Sequence, residues 1–482
     1  MRPYEAEMLN LCEESNPAEP LAEVRGDGVS QLLPFTYTFS DATEFEYKVG
    51  LEADRTLGTY AGTREVVERF FTGTNLRLPI IARHLFESDL AEAAQSSRID
   101  ADLSALCIAM KLIQQRPSPE GDVRTSLYIC AKQVIGLLEA GDIRSLRVLQ
   151  TRLLIATYEL GHGLSTAAAV SVAACAKVAR AMGMRKVNSN TQSSMGNAVL
   201  TEERRRVWWA MFNLDRYLGL IQADSLHTMA DPRAGDQLPY DDTLWVIGAG
   251  NFKSPPQLDS PYHVEFGQFA RECQISHLAG RTTRHVFDPT EDHQYQQIEA
   301  TQLESTMRAF LPLLSHNELS FGIYCASLSI CSRQVASLVY CRYSYSDSAS
   351  ALLVFLCRSD NPSPGSVTIS VTNLRLMEPV AMQLVFYARR CFNDPAELDH
   401  ISAYIPLSLY MAAVVLKHLS TGDDQDTYTE PLTLLTQKLQ FMATRWASAG
   451  TYIMTLTSML TLITLLELYL EALRSDTPAI LP

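Results

Sequence analysis

The chain contains no C-x-x-C pair, which removes the spacing on which zinc knuckles are built. Its ten cysteines stand singly at 12, 107, 130, 175, 273, 325, 331, 341, 357 and 391. The closest three, Cys325, Cys331 and Cys341, are separated by six and ten residues, which suits neither a zinc knuckle nor one helix face. With no signal peptide expected at Met1, these thiols read as reduced, buried small hydrophobes. Positive charge is also scarce: 40 Lys and Arg against 54 Asp and Glu leave −14 at pH 7, opposite to the footprint that a phosphate backbone selects. The one dense basic run, Arg204-Arg205-Arg206, opens a strongly apolar helix, where a structural role is expected. No G-x-S-x-G, P-loop or H-E-x-x-H occurs. Gly248-Ala249-Gly250 lacks the third glycine of a dinucleotide loop. Asp423-Asp424-Gln425-Asp426-Thr427 misses the last carboxylate of D-D-x-x-D and reads as the close of a loop. No catalytic, cofactor-binding or metal-binding residue is therefore assigned, and an enzyme is not expected.

What is present is a core. Hydrophobic residues make 47% of the 482 and charged residues 20%, enough for a folded chain rather than a disordered one. The first sixty residues are acidic and interrupted by Pro3, Pro17, Pro20, Gly26, Gly28 and Pro34, among aromatics at Phe35, Tyr37, Phe39, Phe45 and Tyr47. Residues 1–62 read as a flexible acidic arm or linker, with an activation-type interaction segment as the alternative. From Thr63 apolar residues recur at helical spacing, through Val66, Val67, Phe70, Phe71, Ile80, Ile81, Leu85 and Phe86. Further helices are predicted at 101–115, 123–139, 145–160, 165–182, 201–222, 264–280, 291–311, 318–341, 374–392, 402–419, 430–448 and 451–473. Proline-rich stretches at 228–262 and 343–372 read as loop insertions. Strand evidence is limited to the β-branched run Val367–Val371. The reading is an all-α fold, a large bundle of about a dozen helices with two loop insertions, one domain over 63–482. Trp446 to Leu466 carries no charge, but seven Ser or Thr residues and Gly450 argue for a buried bundle helix rather than a membrane span.

Three stretches are more specific. Leu146 to Gly163, LRVLQTRLLIATYELGHG, places Leu146, Leu149, Leu153, Ala156 and Leu160 on one stripe ending in glycines, with His162 read as a structural residue at the helix end. Its protonated ring could face the last carbonyls there. Residues 166–176, TAAAVSVAACA, carry little larger than valine and allow a neighbouring helix to approach closely. Met182-Gly183-Met184 then supplies a glycine stop. Thr201 to Leu220, TEERRRVWWAMFNLDRYLGL, has Thr201 as expected N-cap, and Glu202 and Glu203 facing the positive end of the helix dipole. Val207, Met211, Leu214 and Leu218 line one face, with Trp208 and Phe212 beside it, so this helix should be central. Asp215 and Arg216 lie within that apolar sector and require partners.

These residues resemble the fungal-specific transcription factor domain, the regulatory region found downstream of a zinc binuclear cluster in fungal activators. RRRVWWAMFNLDRYLGL is similar to its central R-R-x-W-W…D-R motif, and AACAKVARAMGM to the helix before it. DQLPYDD, Asp236 to Asp242, resembles its D-x-x-L-P-x-D close, and WASAGTY, from Trp446, a late W-x-x-A-G-x-Y. The resemblance spans roughly 64–473 and marks Arg205, Arg206, Trp208, Trp209, Asp215, Arg216, Tyr217, Leu238 and Pro239 as structural signature residues. LQTRLLIATYELGHG is similar to regulators of secondary-metabolite gene clusters. Two departures stand out: Cys12 alone precedes Thr63, so the zinc cluster is lacking, and the usual G-R-P after the central helix is Gln222-Ala223-Asp224. The resemblance implies a nuclear transcription regulator without its own DNA-binding domain in this chain. Its partners would be the transcription machinery or a separate DNA-binding protein, with a small-molecule effector and a homodimer as further candidates; no direct DNA contact, membrane or cofactor is expected. The alternative is a metabolite-binding or pathway-accessory protein on the same scaffold.

Overall fold

The described part of the chain begins with a helix, α1 (Ala42–Leu57), inside the stretch read as an arm. Phe45, Val49 and Ala53, at i, i+4 and i+8, are buried in the core, while Tyr47 and Leu51 on the opposite side are exposed. The expected boundary at 62/63 therefore falls within packed helices. The structure, a computed structural model, describes residues 42–96, 100–118, 122–184, 195–247, 255–261, 264, 267–321, 326–343, 371–420 and 425–458.

Helix α2 (Tyr60–Thr72) starts where Thr59 Oγ1 accepts the Gly62 N–H at 3.3 Å, and it turns Val66, Val67, Phe70 and Phe71 inward. Ile80 and Ile81 are buried in the non-helical link that follows, ahead of α3 (Arg83–Ser96). Next come α4 (Ala101–Ile113), α5 (Ser126–Ala140), α6 (Leu146–Gly161), α7 (Ser165–Ala181) and α8 (Met195–Gln222). After the short α9 (Asp242–Ile247), the second half holds α10 (Gln268–Phe287), α11 (His293–Phe321), α12 (Ala326–Tyr343), α13 (Val371–Arg390), α14 (Ile405–Leu419), α15 (Gln425–Ala443) and a helix α16 over 447–458. Among the described residues there is no strand ladder, only the antiparallel bridge Gln237–Gln257, and the fold is all-α. Helix α6 packs on α4 and α7, and α8 on α6, α7 and α10; α12 then connects α10 to α13 and α14.

Several local expectations change. Thr201 is not an N-cap, because α8 starts at Met195; Glu202 and Glu203 therefore lie inside the helix and are buried rather than at its dipole end. The glycine stop after α7 holds: Gly183 has φ +70°, and Met184 N–H reaches back to Ala179 O at 2.9 Å. The first loop insertion is ordered by Leu238 N–H to Pro256 O at 2.8 Å and Leu258 N–H to Asp236 O at 2.9 Å, and it contains α9. The second lies almost wholly outside the described residues, as do residues 367–370 of the β-branched run; Val371 is the first residue of α13. Helix α16 is not apolar all round: Leu456 is buried but Met454 is 65% exposed, and residues 459–466 lie outside the described set. Among the described residues, no helix is long and apolar enough to cross a membrane.

Candidate functional site: a charge clamp along helix α8

Helix α8 carries six charged residues into the interior, and two groups of partners receive five of them. In its first half Arg206 is 0% exposed. Its Nε donates to Glu202 Oε1 at 2.8 Å, Nη1 to Asp242 Oδ1 at 2.8 Å, and Nη2 to the Tyr240 carbonyl at 2.8 Å. The guanidinium also lies 4.8 Å from the centre of the Trp245 ring. Arg205 pairs with Glu202 and donates to Gln237 Oε1 at 3.0 Å. Glu202 Oε1 accepts the Tyr240 N–H at 2.9 Å as well, and Trp209 Nε1 donates to Gln237 O at 2.9 Å. Two carboxylates, Glu202 and Asp242, thus meet two guanidiniums, and the charges balance. A buried ion pair is stable only with such saturation, because burial costs each ion several kcal/mol. Leu238 and Pro239, between the polar contacts, are buried. The R-R-x-W-W and L-P-x-D stretches, about thirty residues apart, are two halves of one contact.

The second half repeats the arrangement. Arg216, also 0% exposed, pairs with Asp215 and donates from Nη2 to Asp231 Oδ1 at 3.0 Å and to Met229 O at 2.7 Å. Asp215 accepts the N–H groups of Thr228 at 3.0 Å and Met229 at 3.1 Å. Arg284 of α10 reaches Asp231 Oδ2 at 2.6 Å, so again two carboxylates meet two guanidiniums. Gly280 makes room for this: a Cβ there would lie 2.6 Å from Arg216 Cδ. Tyr217 Oη donates to Tyr404 O at 3.2 Å, tying α8 to the start of α14. The two clusters hold opposite ends of segment 228–242 against one helix.

Glu203 faces the other way. Its Oε1 accepts the Ala82 N–H at 2.9 Å and Gln150 Nε2 at 3.0 Å, and burial raises its pKa to about 7 despite those bonds. The late W-x-x-A-G-x-Y stretch meets the end of α6. Trp446 is buried, its Nε1 donates to Ile401 O at 2.9 Å, and a Cβ on Gly161 would lie 2.1 Å from its ring. His162 follows, buried between Tyr158 and Trp446. Burial first, and the Arg445 charge second, lower its pKa to about 3, which favours the neutral ring over a protonated one facing the last carbonyls. Its Nδ1 accepts the Ala447 N–H at 3.4 Å.

Of the signature residues, Arg205, Arg206, Trp209, Asp215, Arg216, Tyr217, Leu238 and Pro239 are buried, and Trp208 is half-buried. Sequence reasoning anticipated that Asp215 and Arg216 need partners but missed Asp231, Arg284 and Glu202. Glu202 stands in a charged run, Asp231 in a proline-rich loop and Arg284 at a half-buried position of α10, so none carries a distinctive sequence sign. Among the described residues, no three His, Cys, Asp or Glu groups gather as a metal site requires. Of Cys325, Cys331 and Cys341, only the Cys331 side chain is described; it is buried and donates to Met307 O. Burial pushes the thiols of Cys107 and Cys175 up to about 12. Of the Asp423–Thr427 cluster, Asp426 lies in the first turn of α15, while 423 and 424 fall outside the described residues, as do Gly248, Ala249 and Gly250.

Two cavities adjoin these helices. One of about 300 Å³ lies among α1 to α4, and no signature residue lines it. The other, about 170 Å³, opens between α7, α8 and residues 228–231, with Trp208 as one wall.

The described residues thus form a helical bundle whose central helix is clamped through buried charges to the loop that follows it. Residues 67–299 match the family described as the fungal specific transcription factor domain. The chain is 33% identical over 145 residues to "Transcription factor BOA15" of Botryotinia fuckeliana (strain B05.10), a stretch covering 30% of this chain and 79% of that protein. The chain belongs to the fungal-specific transcription factor domain family. No solved structure matches it.

Proposed function

We propose that the chain is the regulatory part of a transcription regulator that acts in the nucleus and controls a fungal secondary-metabolite gene cluster, with DNA contacted by a domain or a partner protein outside this chain. Family membership supports the regulatory role, and the name of the BOA15 relative agrees with it. The observation that carries the indirect route to DNA is the fate of the basic residues. Arg205, Arg206 and Arg216 are buried and committed to carboxylates and carbonyls, so the densest basic run offers only Arg204 to solvent. The net charge of −14 opposes phosphate binding further. The secondary-metabolite assignment rests on the likeness of LQTRLLIATYELGHG to cluster regulators. No residue is assigned to catalysis in this reading.

The test is fusion of the full chain to a foreign DNA-binding domain. Reporter activation or repression by several-fold is expected, and a flat reporter, with and without metabolites of the neighbouring gene cluster, overturns the reading. A second reading, a metabolite-binding accessory protein on this scaffold, is favoured by the cavity beside Trp208. It requires that deletion alter metabolite chemistry without altering cluster transcripts.

A further inference from the structure

The small residues of α7 leave a space that the neighbouring helices do not fill. Ala176 and Ala179 form its floor, Trp208 of α8 one wall, and Met229 with Asp231 the other. Its volume, about 170 Å³, compares with the roughly 150 Å³ of an apolar cavity that accepts one benzene ring. A single ring with one substituent is therefore the size that fits.

The lining states the chemistry more narrowly. Trp208 stacks on Phe212 with rings 5.8 Å apart and nearly parallel, which fixes the indole as a flat platform. Met184 and Met229 offer adaptable, polarisable surface beside it. At the mouth, one turn beyond Ala176, stands Arg180, exposed and without an ion pair or hydrogen bond among the described residues. The acidic group at the cavity, Asp231, is already saturated: Oδ1 by Arg216 and Oδ2 by Arg284. A cationic ligand would have to displace an arginine from Asp231, whereas an anionic one meets a free guanidinium, the group best suited to a planar carboxylate.

We propose that this cavity is a binding site for a small aromatic carboxylic acid, the ring lying against Trp208 and the carboxylate on Arg180. The same wall makes the site a sensor. Thr228 and Met229 are held by Asp215, and Met229 O and Asp231 by Arg216, so an occupied cavity braces the segment that the second charge cluster clamps. Trp208, Phe212 and Arg216, at i, i+4 and i+8, join the cavity to that cluster along one face: the Arg216 guanidinium lies 4.3 Å from the centre of the Phe212 ring. The regulatory meaning of the site rests on the transcriptional reading above; the binding itself does not.

The experiment is calorimetric titration of the purified full chain with sodium benzoate, beside benzyl alcohol, which lacks the charge, and cyclohexanecarboxylate, which lacks the flat ring. Benzoate is expected to bind one site with a dissociation constant on the order of 1 mM, the range open to so small a ligand. Each comparison compound should bind about tenfold more weakly, and so should Arg180→Gln, a change at an exposed position that leaves folding intact. Ala176→Leu, which fills the floor without touching a charge, should abolish binding. Absence of benzoate binding up to about 10 mM, or undiminished binding in Arg180→Gln, overturns the proposal. Benzoate binding with a silent reporter removes the transcriptional reading and keeps the site, whereas an active reporter without binding does the reverse.

Discussion

Helices α8 and α14 both run through the interior, yet they are held there by different means. Every residue of α14 from Ile405 to Leu416 is buried and none of these is charged, so apolar burial on all sides suffices. Helix α8 buries Glu202, Glu203, Arg205, Arg206, Asp215 and Arg216 among its aromatic and aliphatic residues. Apolar contact tolerates a shift of neighbours, while a saturated guanidinium admits one arrangement of carboxylates and carbonyls. On α8 the buried charges therefore select their neighbour: Arg206 and Arg216 hold segment 228–242 through Asp242, Tyr240, Asp231 and Met229.

The sharpest way to break the comparison is to remove one group from each helix. Arg216→Met strands Asp215 in the interior and should cost about 3–5 kcal/mol, while Leu409→Ala in α14 should cost about 2–5 kcal/mol, both read from urea unfolding. Size does not separate them, but repair does. Adding Asp215→Asn to Arg216→Met should recover about 1–3 kcal/mol, whereas Leu409→Ala and Leu416→Ala should add to within about 0.5 kcal/mol. Additive behaviour in the α8 pair would remove the claim that its charges act as a unit.

Shape rather than charge governs the contact between the end of α6 and Trp446. Gly161→Ala drives a methyl into the Trp446 ring and should cost about 1–3 kcal/mol, with the α8 clusters intact. A neutral result in thermal unfolding would mean that Trp446 moves freely.

Acid acts with opposite sign on Glu203 of α8 and on His162 at the end of α6. His162, at the end of α6 against Trp446, has its pKa lowered from 6.5 to about 3, so the unfolded chain binds its proton first. Its contribution is complete above 6.5 and is lost as pH falls toward 3, by at most about 1.4 kcal/mol per pH unit. Glu203 on α8, raised from 4.5 to about 7, does the opposite: its contribution is complete below 4.5 and is lost as pH rises to 7. His162→Gln should therefore flatten the acid limb of the stability profile, and Glu203→Gln the limb above 4.5; profiles unchanged by both would refute these assignments.

The smallest effect lies at the end of α8, where Ala223 adopts φ +55°, a left-handed conformation that favours glycine. Ala223→Gly should raise stability by about 0.5–1 kcal/mol in the same urea experiment. A loss would show that backbone freedom in the unfolded chain outweighs the relieved strain.

Helix order and the central place of α8 were legible because the 3.6-residue period reports burial directly: Val207, Met211, Leu214 and Leu218 are all buried. Helix α1 was missed although Phe45, Val49 and Ala53 carry that period, because Tyr47, Leu51 and the acidic surroundings gave the segment the composition of an arm. The clamp itself was legible only as a demand for partners at Asp215 and Arg216. That Asp231 and Arg284 would meet them, or Asp242 meet Arg206, depends on how a proline-rich loop returns to the helix, and no local pattern encodes such a return. The neutral state of His162 likewise depends on Trp446 and Arg445, nearly three hundred residues away.

Amide hydrogen exchange in Arg206→Met tests the clamp most directly, because the Tyr240 N–H donates to the same Glu202 oxygen that receives Arg206. Protection at Tyr240 and along 236–242 should fall by at least about tenfold while the amides of α14 keep theirs. Equal loss in both regions, or an unchanged 236–242, would contradict a clamp that specifies the packing of this loop on α8.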